Sequence, residues 1–239
     1  MQVSSKAIVL SKIRYKDNDL IVKCFTERFG LKSFLLKNVL KTKKSKIRPA
    51  YFQPLSILEI EASFKESRSL HFIKEVKLST SLNSIYTNVV KTTIVMFLSE
   101  ILTNILNQEE ENPELFNFLE TSVKWFDENE TYSNFHLIFL LELTKYLGFY
   151  PDIKMIKFKF FNLEEGKFQS NAGGQYCMEG ENLTVFKQLL GTKFDVDKKL
   201  VLAVSQKQEL LNMILLYFKL HLDDFKQPKS LAVLHQVFK

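Results

Sequence analysis

The chain has 239 residues, of which 46% are hydrophobic and 25% charged, and its formal net charge is +6. This composition is typical of a soluble globular protein, and the length allows one large domain or two or three small ones. No apolar stretch reaches the roughly 20 residues of a membrane helix, and the N-terminal residues lack the pattern of a signal peptide. The two cysteines, Cys24 and Cys177, exclude a disulfide framework and suit a reducing cytosol.

The positive charge is concentrated at the N-terminal end of the chain. The first fifty residues contain thirteen basic and three acidic residues, a net charge of +10, so the remaining residues have a net charge of −4. Such asymmetry indicates an anionic partner for the N-terminal part, with nucleic acid a better candidate than a membrane surface.

Five short segments in the first 77 residues have the composition of β-strands. They cover residues 6–13, 20–26, 31–37, 55–64 and 70–76. Turn residues separate the first three, with Asp17-Asn18-Asp19 after the first strand and Gly30, which suits a positive φ, after the second. Five short strands predict a small closed barrel. A five-stranded OB-fold is the first candidate, and an SH3-like barrel fits the same pattern.

The segment between the third and fourth strands, residues 37–48, contains six bases and no acid. These bases are Lys37, Lys41, Lys43, Lys44, Lys46 and Arg48. Unpaired charges are not buried, so the segment faces either water or an anion. One interpretation is a solvated loop that keeps the protein soluble. The other is a phosphate-binding loop on a barrel, helped by Arg14 and Lys16 from the loop after the first strand.

From residue 79 onward the apolar residues recur at helical spacing. The predicted helices cover residues 89–106, 113–126, 135–147, 182–190 and 206–222, with a short, weakly helical tail at residues 230–239. Residues 156–180 interrupt the helices and predict a small, irregular β-hairpin insert. We therefore predict an α+β protein with a barrel domain at residues 1–78 and a mainly α-helical domain at residues 79–239.

Short motifs in the barrel segment resemble those of the RecO family of bacterial DNA repair and recombination mediators. Phe25-Thr26 with Gly30 matches the Phe-Thr-x-x-x-Gly turn of the family, and Gln53-Pro54-Leu55 matches its segment before the fourth strand. Lys37 stands at the position of the family's loop lysine, although Asn38 replaces the usual glycine.

The helical part of the chain resembles the same family, so the resemblance covers nearly the whole length. The matching residues are Glu100, Pro113-Glu114-Leu115-Phe116, Leu147-Gly148-Phe149-Tyr150-Pro151, and Gly173-Gly174 with Cys177. Their order and spacing carry the resemblance, because each motif alone is common.

The resemblance implies an N-terminal OB-fold, a helical C-terminal domain and a cytoplasmic, nucleoid-associated protein. It further implies binding of single- and double-stranded DNA and annealing of complementary strands. The implied partners are RecR and the C-terminal tail of single-stranded DNA-binding protein, and indirectly RecA, whose loading the protein would help. An acidic tail that ends in a hydrophobic residue needs an apolar groove with a basic rim. Lys145 and Lys219 are candidates for that rim, unless they are snorkelling surface lysines.

Many members of this family hold zinc through two CxxC pairs, and the chain departs from that pattern. No cysteine occurs at residues 158–163, where the first pair would fall, and the second pair is reduced to Cys177, with Gly180 at its partner position. A single thiolate cannot make a tetrahedral zinc site. We predict no metal and no other cofactor, and expect the degenerate zinc-finger-like insert to be packed by Phe158, Phe160, Phe161 and Tyr176.

The sequence contains no recognisable catalytic motif. Its four histidines are scattered without an HExxH motif, and no P-loop motif is present. We therefore predict no enzymatic activity, and propose as the alternative function a non-catalytic adaptor whose basic loop binds RNA or an acidic protein surface. Among the aromatic residues near the bases, Phe34 and Phe52 are expected in the barrel core. Tyr15 and Tyr51 flank loops and fit either the core or base stacking.

Overall fold

The computed structural model describes residues 2–41, 47–64, 68–106, 110–130, 132–194 and 200–238. The chain forms two compact units, one of Met1–Glu128 with Pro228–Leu234 and the other of Asn129–Gln227 with His235–Lys239. None of the helices in the described ranges is long and apolar enough to cross a membrane.

Five strands in the first unit close into a barrel in the order β1-β2-β3-β5-β4. They are β1 (Gln2–Tyr15), β2 (Asp19–Thr26), β3 (Gly30–Leu36), β4 (Ile57–Ser63) and β5 (Leu70–Leu78). All neighbouring pairs are antiparallel except β3 and β5, which are parallel. This arrangement is OB-fold-like and confirms the first candidate over the SH3-like barrel.

Strand β1 is longer than the predicted residues 6–13 because it pairs with two neighbours. Residues 2–8 pair with β4, and residues 7–15 pair with β2. A bulge between Val9 and Ser11 interrupts the pairing with β2, and such a bulge bends a strand. One bent strand therefore closes the barrel.

The barrel core is filled by alternating inward-facing residues. Cys24, Phe34 and Phe52 are all completely buried in it, which confirms that the two phenylalanines are core residues. Burial raises the pKa of the Cys24 thiol far above its ordinary value, so this cysteine behaves as a small apolar side chain. Val39, from the segment after β3, is also buried in this core, and Tyr51 packs against its edge.

Within the described ranges, three helices lie wholly in the first unit, and polar contacts attach two of them to β1. They are α1 (Ser84–Thr87), α2 (Val89–Ile105) and α3 (Pro113–Glu128). On α2, the hydroxyl of Thr103 donates to the Leu10 carbonyl at 3.3 Å. On α3, the Glu120 carboxylate accepts from Lys6 at 3.0 Å and from Lys124 at 2.6 Å. Helix α1 was not predicted because four residues are too short to show a helical period.

In the part of the second unit that the structure describes, three helices and a small antiparallel sheet lie wholly within this unit. These are α4 (Phe135–Tyr146), β6 (Phe160–Asn162), β7 (Lys167–Gln169), β8 (Cys177–Met178), α5 (Gly180–Leu189) and α6 (Val204–His221). The sheet has the order β7-β6-β8 and occupies the predicted insert. The tail forms a final helix, α7 (Leu231–Val237), whose residues up to Leu234 belong to the first unit and whose residues from His235 onward belong to the second.

The aromatic packing of the insert is centred on Phe161 and includes rings that were not predicted, while the predicted Phe160 and Tyr176 are partly buried. Phe161 is completely buried as expected, and its ring centroid lies 4.8 Å from Phe168, 5.0 Å from Phe186 and 6.0 Å from Tyr217. The prediction was wrong for Phe158, which lies before the first strand of the sheet and is 38% exposed. Within the described ranges, no group of three or more His, Cys, Asp or Glu residues is arranged to hold a metal ion.

Candidate nucleic-acid interface

Two turns that are separate in sequence are held together by hydrogen bonds. The β1–β2 turn contains Lys16, and the turn after β3 spans residues 37–41. The Asp19 carboxylate accepts from the Asn38 backbone N–H at 2.7 Å, and the Asn18 carbonyl accepts from the Leu40 N–H at 3.0 Å. We call residues 16–19 and 37–41 the turn pair. Its geometry brings Lys16, Lys37 and Lys41 to one region of the barrel.

Both turns depend on a residue with a positive φ that is not glycine. Asn38 has φ +54° and Lys16 has φ +51°. Asparagine is among the residues that tolerate the left-handed region best, so Asn38 can replace the family's usual glycine without losing the turn. Lysine tolerates this conformation less well, and the strain at Lys16 costs about 1–3 kcal/mol, which the surrounding turn must offset.

The bases of the turn pair are exposed to solvent. Lys37 and Lys41 are solvent-exposed, as are Lys16 and the nearby Arg14. The Arg14 guanidinium donates to the backbone carbonyl of Asp17 at 2.8 Å. Within the described ranges, none of these four side chains forms an ion pair with a carboxylate. Their charge is therefore available to an external anion.

Two lysines of the turn pair lie over aromatic rings. The Lys16 ammonium is 5.5 Å from the centroid of the Tyr15 ring, and the Lys37 ammonium is 5.2 Å from that of Phe72. Both distances are within the range of cation–π attraction. Phe72 was missed by the sequence analysis. The alternation along β5 could have found it, because its neighbours His71 and Ile73 point into the barrel.

The remaining predicted DNA-binding residues are placed differently or lie outside the described ranges. Arg48 is exposed and directly precedes a 3-10 helical turn, Pro49–Tyr51. Arg14 pairs with the buried Leu20 of β2 and directly precedes Tyr15 on β1. Because successive side chains of a strand point to opposite faces, Arg14 lies on the opposite face of β1 from Tyr15. Lys43, Lys44 and Lys46 fall at residues 42–46, outside the described part of the chain.

Two other N-terminal lysines are engaged in structural contacts. Lys23 donates to the Thr103 carbonyl at the end of α2 at 3.3 Å, and burial lowers its pKa. Lys12 donates to the side-chain oxygen of Gln53 at 3.1 Å. Because Lys23 is partly buried, whereas Lys12 remains exposed, the count of bases in the first fifty residues overstates the charge that an anion can reach.

Comparison with known proteins gives matches over nearly the whole chain. The family model described as "Recombination protein O N terminal" matches residues 1–82, and "Recombination protein O C terminal" matches residues 86–232. "DNA repair protein RecO" of Flavobacterium psychrophilum is 48% identical over 238 residues, which cover 100% of both chains. The protein of the same name from Christiangramia forsetii is 40% identical over 238 residues and 100% of both chains, and that from Bacteroides fragilis is 33% identical over 236 residues and 97% of both. The chain therefore belongs to the RecO family of DNA repair and recombination proteins.

Proposed function

We propose that this protein is a non-enzymatic mediator that binds single- and double-stranded DNA through the turn pair and the basic segment that follows it. The predicted barrel domain, residues 1–78, is the DNA-binding part. Arg14, Arg48 and the lysines at positions 43, 44 and 46 add to the phosphate-contacting surface. The observation that carries the proposal is the pair of hydrogen bonds between the two turns, which gathers three exposed lysines that form no ion pair with a carboxylate among the described residues.

The physical basis is the polyelectrolyte character of DNA. Each lysine that contacts a phosphate releases condensed counterions, so affinity falls as the salt concentration rises. The slope of log affinity against log salt concentration is proportional to the number of phosphate contacts. Phosphate contacts carry no base information, so binding through the turn pair is independent of sequence. Independence of sequence is what a mediator needs, because repair takes place at any point of a chromosome.

The experiment compares a triple variant, Lys16→Ala with Lys37→Ala and Lys41→Ala, with the wild type. Binding to labelled single-stranded and duplex oligonucleotides is measured by fluorescence anisotropy at several salt concentrations. We expect weaker binding to every sequence, and a salt slope on single strands that is flatter by up to about 0.7 per lost contact.

A matched control removes the same charge elsewhere. Lys154, Lys157 and Lys159 are exposed lysines of the second unit, and their triple replacement by alanine should leave affinity and slope close to the wild type. If both triple variants bind alike, the turn pair is not the DNA site. If the turn-pair variant loses binding to RNA or to an acidic protein but not to DNA, the protein is an adaptor.

The proposed role also includes strand annealing and help in loading RecA together with RecR and single-stranded DNA-binding protein, in the bacterial cytoplasm at the nucleoid. An acidic partner tail would bind the helical domain. Lys219 is exposed and remains a candidate for the rim, whereas Lys145 already pairs with Glu142 at 2.7 Å. Replacing Lys219 by alanine should weaken capture of an acidic tail peptide by the full chain more than replacing Lys145 does.

A further inference from the structure

An apolar row crosses the outer face of the barrel beside the turn pair. The strand register places Ile13 opposite Ile21, and Ile21 opposite Leu35. On the next strand, β5, residue 71 pairs with residue 34, and both side chains point inward. Their following residues, Leu35 and Phe72, therefore point outward together.

Tyr15 extends this row along β1, because it is two residues beyond Ile13 and so lies on the same face. We call Ile13, Tyr15, Ile21, Leu35 and Phe72 the apolar strip. Ile13 is 58% exposed and Tyr15 39% exposed, while the other three are partly exposed. The strip crosses four strands, a span of about 14 Å at the usual spacing between strands.

The strip begins where the helices of the first unit stop covering the barrel. On the covered part of the same face, the Phe25 ring packs on Phe116 of α3 with centroids 6.1 Å apart. Lys23, one row from the strip, bonds to the end of α2. The exposed row is thus bounded on one side by the helices and on the other by the lysines of the turn pair.

The two aromatic members stand at the two ends of the row, and each has a lysine ammonium over its ring. An aromatic ring with a neighbouring cation is the arrangement by which OB-folds bind single strands, with the base on the ring and the phosphate on the cation. The turn pair carries three exposed lysines, Lys16, Lys37 and Lys41, and two acids, Asp17 and Asp19. The Asp19 carboxylate is engaged by the Asn38 backbone N–H, so the rim has an excess of positive charge, which complements a polyanion and not a basic partner.

We propose that the apolar strip receives the bases of single-stranded DNA, with Tyr15 and Phe72 as stacking positions and with the phosphates held by Lys16 and Lys37. This inference rests on the proposed DNA-binding function and assigns it a strand preference. In a duplex the bases are stacked on each other and unavailable to the strip. Duplex DNA therefore contacts the lysines alone, and single strands contact both the lysines and the strip.

The test measures the binding of oligo(dT) and of a duplex to full-length Tyr15→Ala, Phe72→Ala and the double variant. We expect each single change to weaken oligo(dT) binding about fivefold or more, which is the usual effect of losing one stacked base. Duplex affinity and the salt slope should stay unchanged, because no phosphate contact is removed. Tyr15→Phe and Phe72→Trp, which keep a ring, should retain oligo(dT) binding.

Phe158→Ala is the matched control, since Phe158 is an aromatic residue of the second unit with an exposure of 38%, almost that of Tyr15. It should leave both affinities unchanged. Photocrosslinking with 5-iododeoxyuridine in the oligonucleotide gives a second readout, and the crosslinked peptides should contain Tyr15 or Phe72. Thermal melting confirms that each variant is folded.

The outcomes separate this inference from the function on which it rests. If the wild type fails to bind any DNA, the proposed function is wrong. If the wild type binds with a steep salt slope but the alanine variants bind oligo(dT) as well as it does, the function stands and the stacking role is wrong. If the alanine variants lose affinity for single strands and for duplex DNA equally, the stacking role is also wrong. Unchanged DNA binding with lost capture of a protein partner would make the strip a protein interface.

Discussion

The Asp19 carboxylate accepts a hydrogen bond from the backbone N–H of Asn38 at 2.7 Å, and so an acidic side chain positions the basic turn. This contact allows geometry and charge to be tested against each other. If net charge alone decided affinity, removing the acid would strengthen DNA binding. If position decides, removing it would weaken binding, because Lys37 and Lys41 would lose their fixed place beside Lys16.

We predict that Asp19→Ala weakens DNA binding even though it makes the protein more positive. Loss of one hydrogen bond to a charged group costs about 1.5–3 kcal/mol locally, enough to release the turn. Asp19→Asn is the control, since its amide oxygen can still accept the bond while the charge is gone, and it should bind DNA at least as well as the wild type. Fluorescence anisotropy titrations measure the DNA affinity of both variants and the wild type. A gain in affinity for Asp19→Ala would refute the positioning role of the Asp19 carboxylate.

A second prediction concerns the three lysines of the basic segment that lie outside the described residues. Replacing Lys43, Lys44 and Lys46 together by alanine should weaken binding to all DNA sequences alike and flatten the salt slope. The free energy of unfolding should change little, because exposed lysines contribute little to folding. Unchanged affinity and slope, measured beside the Lys154, Lys157 and Lys159 control, would show that these three lysines form only a solvated loop.

The barrel and the longer helices were predictable because their signals are local. Alternation and turn residues mark the strands, and the helical apolar period marks α2 to α6. The strand ends were less predictable, since Gln2 is included in β1 only through its pairing with Ser63 on β4. Such pairing depends on barrel closure, which brings together residues distant in sequence.

The candidate site was predictable in its charge and not in its geometry. Counting bases was enough to select residues 37–48. The contact of Asp19 with Asn38, which are 19 residues apart, exists only because β1, β2 and β3 are neighbours in the barrel. Phe161 was predicted as a packing residue of the insert, but its contact with Tyr217 was missed for the same reason, because the two rings meet only through tertiary packing.

A third prediction uses a histidine of the second unit. His136 on α4 is completely buried against the Phe238 ring, with centroids 5.0 Å apart, and burial, with smaller contributions from Lys207 and His235, lowers its pKa to about 3. The unfolded chain binds a proton at this residue below its ordinary pKa of 6.5, and the folded chain does not until about 3. The contribution of neutral, buried His136 to the free energy of unfolding is therefore fully present above pH 6.5 and is lost as the pH falls below that value.

The size of this effect follows from linkage. Each pH unit below the unfolded pKa costs about 1.4 kcal/mol, so between about pH 6.5 and pH 5 the wild type should lose about 2 kcal/mol from His136. His136→Phe removes the titrating group, so the free energy of unfolding of this variant should fall correspondingly less over the same pH interval. Urea unfolding followed by circular dichroism at both pH values measures the difference. Parallel pH profiles for the two proteins would contradict the prediction.

The last prediction separates aromatic packing from metal binding in the insert. Phe161 is completely buried among three other rings, so Phe161→Ala leaves a cavity and should lower the free energy of unfolding by about 3–5 kcal/mol. Cys177 is only partly buried, and a single thiolate cannot hold a structural zinc ion. Cys177→Ser and treatment with a chelator should each change stability by less than about 0.5 kcal/mol, the usual range for a surface change. Elemental analysis of the purified protein completes the test, because stoichiometric zinc together with a loss of stability on chelation would show that a metal, and not the aromatic cluster around Phe161, holds the insert together.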